Sequence, residues 1–373
     1  VAIAHSYPEV DRVQAPQHFF PFLLWGKTAA NWQWHRHGVV LFLGGDQFFT
    51  VVIGKRLGYR TVVYGEREVR WLRWIDRFGV MKPELSAYLP QRYASKLTVV
   101  GDLMAEAGVH RSNSLPGLNP RLQRQPGEEL IALLPGSKPA KLAQALPLML
   151  ASAEHIHRVR PQVRFVIPIA PTLDLATLSA FADPSHNPVL RRVNGATAQL
   201  LSVDQEHFCL QTEGGLQIEL WTDFPAYDLL RTCCLSLTTV GANTAELGSL
   251  AIPMLVILPT QQLDAMRAWD GLPGLLANLP GIGAGLATII NWLALQRLGL
   301  LAWPNIWAGK EIVPELVGQL QPQVIAEKAL DFLNHPEKLD RMRCDLRNVR
   351  GKPGAADKLA RLVSAELALQ INV

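Results

Sequence analysis

Short apolar runs recur along this chain, most of them followed by a stretch of helical spacing. Val39-Val40-Leu41-Phe42-Leu43 is the first, and it ends in Gly44-Gly45-Asp46. A helical stretch follows as far as Gly58. Then come Thr61-Val62-Val63-Tyr64, Arg77-Phe78-Gly79-Val80-Met81, a Pro-started helix near Pro83, and Leu97-Thr98-Val99-Val100. Unbroken apolar runs suit strands buried on both faces, and their alternation with helices predicts a parallel, doubly wound α/β sheet.

Pro116, Pro120 and Pro126 then interrupt a segment rich in Ser, Asn, Gly and Gln, which discourages a long helix and marks a linker. The alternation resumes with a strand from Leu130 to Leu134, a helix from Lys141 to Arg160, a strand from Arg164 to Ile169 and a helix from Leu173 to Phe181. Further strands are expected at Leu216 to Leu220, Leu235 to Thr238 and Met254 to Leu258, and the chain reads as helical from Pro322 onward. The expected division is a Rossmann-like domain over 1–112, a linker over 113–127, a second Rossmann-like domain over 128–349, and a terminal helix over 350–373 able to pack back on the first domain. Two such halves leave a cleft, and the carboxyl ends of parallel strands are where ligands sit.

Length agrees with two domains, since 373 residues exceed one comfortable core at roughly 150 residues per domain. The composition, 49% hydrophobic and 18% charged, is globular. Cys209, Cys233, Cys234 and Cys344 form neither a C-x-x-C pair nor a disulfide-like framework, which points to a reducing compartment. A net charge of +4 suits anionic phosphates or lipid head groups. Without a Lys/Arg-rich tail or zinc-finger spacing, no nucleic-acid partner is expected. The start shows no basic region with an apolar signal segment, so secretion is not expected. The chain opens at Val1 in what reads as the middle of a fold, so part of a natural N-terminus is expected to be absent. The apolar stretch from Leu286 to Leu295 is interrupted by Asn291 and suits an interfacial or buried helix better than a membrane span.

The richest chemistry lies at Thr238-Thr239-Val240-Gly241-Ala242-Asn243-Thr244-Ala245-Glu246. It reads as a strand, a tight turn at Gly241 and a helix that Asn243 or Thr244 can cap. Amides at a helix start suit a phosphate. Glu246 is expected in the first helical turn, where its oxygens could accept from a pair of ribose hydroxyls. A plain capped helix start accounts for the same pattern equally well. Leu133-Leu134-Pro135-Gly136-Ser137-Lys138 repeats the arrangement, with Lys138 as a cation beside the turn or simply in solvent. Asp46, at the end of its strand, is the first candidate for a general base, although capping the following helix is the commoner use of such an Asp. Asp102, after Val99-Val100-Gly101, is a weaker candidate of the same kind. Arg67, Arg70, Trp71 and Arg73 interleave basic and aromatic groups at near-helical spacing, which fits a membrane head group, a phosphorylated acceptor or an ordinary amphipathic helix. Gly26-Lys27-Thr28 is not a phosphate loop, because Pro21 stands where the motif needs glycine. No D-x-D pair, His-x-x-x-His helix or Cys/His cluster supplies metal ligands, so neither a metal nor another cofactor is demanded.

With these residues in view, the chain resembles the lipid-A-disaccharide synthase family, inverting glycosyltransferases with the GT-B fold of two Rossmann-like domains facing a cleft. The likeness is carried by the Leu133-to-Lys138 turn, by the turn ending in Glu246 with Ile252-Pro253-Met254 after it, and by Pro304-Asn305 followed by Val313-Pro314-Glu315-Leu316. It implies that Gly136, Ser137, Lys138, Gly241, Asn243, Thr244, Glu246, Asn305 and Glu315 line a UDP-sugar donor site, and that Asp46 activates a lipid-linked acceptor. It places Arg67, Arg70, Trp71, Arg73 and Asp102 on the acceptor or membrane side. By the same resemblance the protein is cytoplasmic, sits peripherally on the inner face of the membrane, and is compatible with a homodimer. A UDP-N-acetylglucosamine enzyme of the same fold, or a nucleotide-binding scaffold without turnover, shares most of these features. The chain departs from the family pattern at Lys138 and Lys141, where an Arg and a Glu are usual, at Gly101-Asp102 in place of Gly-His, and at Glu66 to Leu72. Altered donor contacts and an altered acceptor are therefore expected.

Overall fold

A computed structural model describes residues 2–5, 7–87, 89–108, 127–204, 207–260 and 299–371. The linker expected over 113–127, apart from Gly127, and the apolar stretch from Leu286 to Leu295 lie outside these residues. The chain divides into two compact units, one formed by Val1–Val109 with Gly351–Val373 and the other by His110–Arg350.

The first unit is built on a four-stranded parallel sheet in the order β1 (Val39–Phe42), β2 (Arg60–Gly65), β3 (Arg77–Val80) and β4 (Leu97–Val99). Helix α1 (Phe19–Trp25) precedes it, and α2 (Gln47–Leu57) joins β1 to β2. Val51, Val63, Ile75, Phe78 and Val80 form its apolar centre. The last helix of the chain, α10 (Ala355–Ile371), belongs to this unit. Its Glu366 is fully buried, and Arg60 Nε at 2.5 Å and Arg77 Nε at 2.9 Å donate to its two oxygens. Two guanidiniums on neighbouring strands thereby neutralise a carboxylate that burial would otherwise penalise.

The second unit carries an eight-stranded sheet. Its strands are β5 (Glu129–Leu134), β6 (Val163–Pro168), β7 (Ala198–Ser202), β8 (Phe208–Thr212), β9 (Gln217–Trp221), β10 (Leu235–Thr239), β11 (Met254–Pro259) and β12 (Glu315–Gly318). They lie in the order β12-β11-β10-β5-β6-β9-β8-β7. All pairs from β12 to β9 are parallel, and β8 and β7 continue the sheet antiparallel. The sequence reading anticipates the parallel strands but not β7, β8 or β12. The residues of β7 (Ala198-Gln199-Leu200-Leu201-Ser202) and β8 (Phe208-Cys209-Leu210-Gln211-Thr212) mix polar and apolar side chains in neither an unbroken run nor an alternation, and β12 is a short edge strand inside a block that reads first as a motif.

The helices of this unit are α3 (Pro139–Val159), α4 (Leu175–Ala180), α5 (Tyr227–Thr232), α6 (Ala242–Ser249), α7 (Trp303–Ala308), α8 (Pro322–Asn334) and α9 (Pro336–Val349). Pro147 inside α3 cannot donate to the carbonyl of Ala143, and the buried amide of Asn187 donates to that carbonyl instead at 2.8 Å. The long helix therefore stays intact across a residue that would usually break it. β5 and β10 are central and in register, with Leu133 beside Leu237 and Leu134 beside Thr238. From β5 the chain winds to β6 on one side, while β10 lies on the other, so the sheet's winding reverses between β5 and β10. A crevice at the carboxyl ends of two such strands is the general ligand position of doubly wound folds.

Candidate functional site

Register brings the two glycine turns together. β5 leaves the sheet through Pro135 and Gly136, and β10 leaves beside it through Val240 and Gly241. Both glycines have positive φ, +92° and +144°, a conformation that other residues rarely adopt. Space for a side chain is also tight. A Cβ on Gly136 would meet Thr239 Oγ1 at 3.3 Å and Lys141 Cδ at 3.5 Å, and one on Gly241 would meet Lys141 Nζ at 3.1 Å. Lys141 thus lies between the turns, and its ammonium donates to the Val240 carbonyl at 2.6 Å.

Gly136, Ser137, Asn243 and Glu246 line one cavity of about 200 Å³. Ile167 and Ile169 at the end of β6, with Leu178, Phe224 and Leu230, supply its apolar wall. The sequence reading does not include this wall; its signal was the end of β6, which neighbours β5. Glu246 is one turn further into α6 than expected, because the helix opens at Ala242. Its half-buried carboxylate has no hydrogen-bond or ion-pair partner among the described residues, and burial pushes its pKa up. An acceptor pair without a donor, beside apolar walls, is suited to ligand hydroxyls.

Lys138 is exposed at the start of α3 and does not line the cavity. Three residues expected to contact the donor instead face the protein. Thr244 is fully buried, its hydroxyl donating to the Gly241 carbonyl at 2.8 Å and accepting from Trp303 N at 3.1 Å. Asn305 is also fully buried. Its Oδ1 accepts from Ile312 N at 2.7 Å and Val313 N at 2.9 Å, while its Nδ2 donates to Val313 O at 2.8 Å and to Glu315 Oε1 at 2.6 Å. That exhausts an amide side chain. Glu315 in turn accepts from Ala302 N at 2.8 Å and Leu301 N at 3.1 Å, satisfying the amides of the two residues that lead into α7. The block that most resembles a family motif is therefore a latch tying α7 to β12.

In the first unit, Asp46 is exposed and caps α2, accepting from Phe48 N at 2.9 Å. Asp102 is 2% exposed. Its Oδ1 accepts from Met104 N at 2.8 Å, and its Oδ2 is buried without a hydrogen-bond partner. Burial raises its pKa, and also raises that of Glu66, where the charge of Asp102 adds to the effect. Arg67 to Arg77 is not an amphipathic helix. It is an irregular link between β2 and β3, with Trp71 at φ +58° and Arg70 N donating to Gln47 Oε1 at 2.8 Å. Arg70 pairs with Glu68, Arg67 acts on the charge of Glu66, and Arg73 lies 5.8 Å from the ring of Trp74. Lys55 lies closer over the same ring, at 3.5 Å.

A larger hollow of about 750 Å³ runs between α4 and the β7 edge, and neither glycine turn lines it. Its Asp183 is engaged by Ser185 and His186, and hydrogen bonds from Ser185 hold its pKa down to about 2. That is a loop-capping arrangement, and the strand-end cavity, with an unpartnered acid, is the better site. Among the described residues no group of His, Cys, Asp and Glu could hold a metal ion, and no helix is long and apolar enough to cross a membrane.

No protein-family model matches the chain. Among solved structures, the S. aureus MnaA–UDP co-structure shares the fold, with a TM-score of 0.52 and 10% identity, covering 95% of this chain and 78% of that one. The architecture is of the GT-B class, α/β throughout with a Rossmann-like sheet in each unit. The lipid-A-disaccharide synthase of Anaeromyxobacter sp. (strain K) is 27% identical over 234 residues, 62% of this chain and 47% of that protein. That of Geobacter sulfurreducens is 24% identical over 307 residues, 80% and 64% respectively. The chain is thus similar in sequence to lipid-A-disaccharide synthases, and it spans about half the length of the first of these curated proteins.

Proposed function

We propose that the protein is an inverting glycosyltransferase that takes a sugar from a UDP donor and passes it to a lipid or lipid-phosphate acceptor. The observation that carries this reading is the convergence of Gly136, Ser137, Asn243 and Glu246 on one cavity at the carboxyl ends of β5 and β10. Its apolar wall suits a nucleobase, the unpartnered Glu246 carboxylate suits a ribose diol, and the amides at the start of α6 suit the phosphates. The names of the relatives and the UDP of the S. aureus co-structure point the same way.

In the proposed reaction the acceptor hydroxyl oxygen attacks the anomeric carbon. The bond from that carbon to the diphosphate oxygen breaks with its electron pair left on the phosphate, and the acceptor proton passes to a base. We assign that role to Asp46, which is exposed at the carboxyl end of β1. Backbone amides at the α6 start would stabilise the charge that develops on the departing diphosphate.

Peripheral attachment to a membrane is part of this proposal. Phe20, Phe19, Phe49, Phe48 and Trp71 form a chain of ring contacts 4.9–6.1 Å apart, and Phe20, Phe48 and Trp71 are exposed. Leu24 and Trp25 on α1 are also exposed, and Lys55 and Arg73 add positive charge around Trp74. Aromatic rings beside cations suit the boundary between head groups and acyl chains.

Calorimetric titration of the chain with UDP tests the donor site. Binding is expected, and Glu246→Ala should weaken it about ten- to a hundredfold, the loss of charge-assisted hydrogen bonds to two hydroxyls. Absence of UDP binding by the unaltered chain removes the reading. Asp46→Asn preserves the helix cap, so it should lower transfer of labelled sugar while leaving UDP affinity unchanged.

A further inference from the structure

Lys141 occupies an electrostatically unfavourable place. It stands in the first turn of α3, a helix of 21 residues whose first turn carries no acid and whose start has no side-chain cap. A cation at the positive end of a helix dipole costs rather than gains stability. The start of α6, which also has no side-chain cap and no acid in its first turn, opens beside the same lysine. Two helix starts and an ammonium therefore concentrate positive potential at the Gly136 and Gly241 turns. A side chain on Gly241 would come within 3.1 Å of the Lys141 amine, so the glycine keeps the approach to that amine open. One of the three donors of the amine goes to the Val240 carbonyl at 2.6 Å, which fixes the charge at the α6 start rather than in solvent.

Distance along α6 orders the site. Glu246 and Gly241 are five residues apart, about 7.5 Å along the axis at 1.5 Å per residue. That is enough to take a ribose at one end and its phosphates at the other. We infer that Lys141 reads the second phosphate of the nucleotide, so that the site selects a nucleoside diphosphate over a monophosphate. This rests on the nucleotide reading of the cavity and adds to it a residue that determines how many phosphates are recognised.

The test is calorimetric titration of the full chain with uridine, UMP and UDP, for the unaltered protein, Lys141→Met, Lys141→Gln and Lys141→Arg. The expected result is that UDP affinity falls roughly tenfold in the Met and Gln variants while UMP and uridine change by less than about twofold. Arg should retain most of the preference for UDP, since it retains the charge. Equal weakening of all three ligands would overturn the inference and make Lys141 a brace between the turns. Unchanged UDP affinity would overturn it as well. If the unaltered chain binds UMP and UDP equally, the cavity reading stands and the inference fails; if it binds none of the three ligands, both fail. Melting curves identify any variant that does not fold, and either of the two neutral substitutions suffices for the comparison.

Discussion

Two parts of the second unit carry equally suggestive polar residues and use them in opposite ways. At Gly136, Ser137, Asn243 and Glu246 the polar groups open onto a cavity, and the Glu246 carboxylate has no partner among the described residues. At Asn305 and Glu315 the polar groups satisfy the backbone at Leu301, Ala302, Ile312 and Val313, and the Asn305 amide has nothing left to offer a ligand. The difference teaches that a motif residue is assigned by where its hydrogen bonds end. A polar group saturated by protein supports the frame of a site, whereas one held out of water without a partner is poised for something else.

Removing the latch should have the largest effect. Asn305→Ala leaves two buried amides and a carbonyl without their partner, and chemical denaturation should show a loss of about 2–4 kcal/mol. If that variant keeps its stability and instead loses UDP binding, the contrast between the two regions collapses. Gly241→Ala should cost about 1–2 kcal/mol, since its φ of +144° is strained for any side chain, and should weaken UDP binding by crowding Lys141. A variant as stable as the original, with unchanged affinity, would show that the turn needs no glycine.

The smallest effect is expected at Asp102, where a buried oxygen is neither latched nor open to a cavity. Burial raises its folded-state pKa above the ordinary 3.8, so the folded chain holds the proton more tightly than the unfolded chain. Its contribution is therefore most favourable at low pH and is lost as pH rises through the raised value. Asp102→Asn should melt higher than the original near neutral pH, by about 1 kcal/mol of stability, with the gap closing toward pH 4. A gap that widens on acidification would mean that the charged carboxylate is the favoured form.

Much of the fold was legible because buried parallel strands leave unbroken apolar runs. Those at Val39, Thr61, Leu130, Leu235 and Met254 lie within, or overlap, observed strands. β7 and β8 were not legible, because their short mixed runs of polar and apolar residues give neither an unbroken apolar stretch nor a period of two. The segment from Arg67 to Arg77 misled for another reason. Its helical spacing is local, whereas the bond from Arg70 N to Gln47 Oε1 and the left-handed Trp71 depend on partners distant in sequence. Both glycine turns were visible in the sequence, but Lys141 stood out only as a departure from a family pattern. Its place between the turns depends on β5 and β10 being neighbours.

Sequence alone determined that this is an α/β chain with two sheets and glycines at two strand ends, since burial and turn geometry are written in neighbouring residues. Tertiary structure alone decided that the Gly136 and Gly241 turns lie side by side, that Glu246 opens into the cavity lined by Gly136, and that Asn305 and Glu315 turn away. Strand order and hydrogen-bond partners are set by contacts between residues far apart in the chain. Two polar side chains with the same local pattern can therefore end with a ligand or with the backbone.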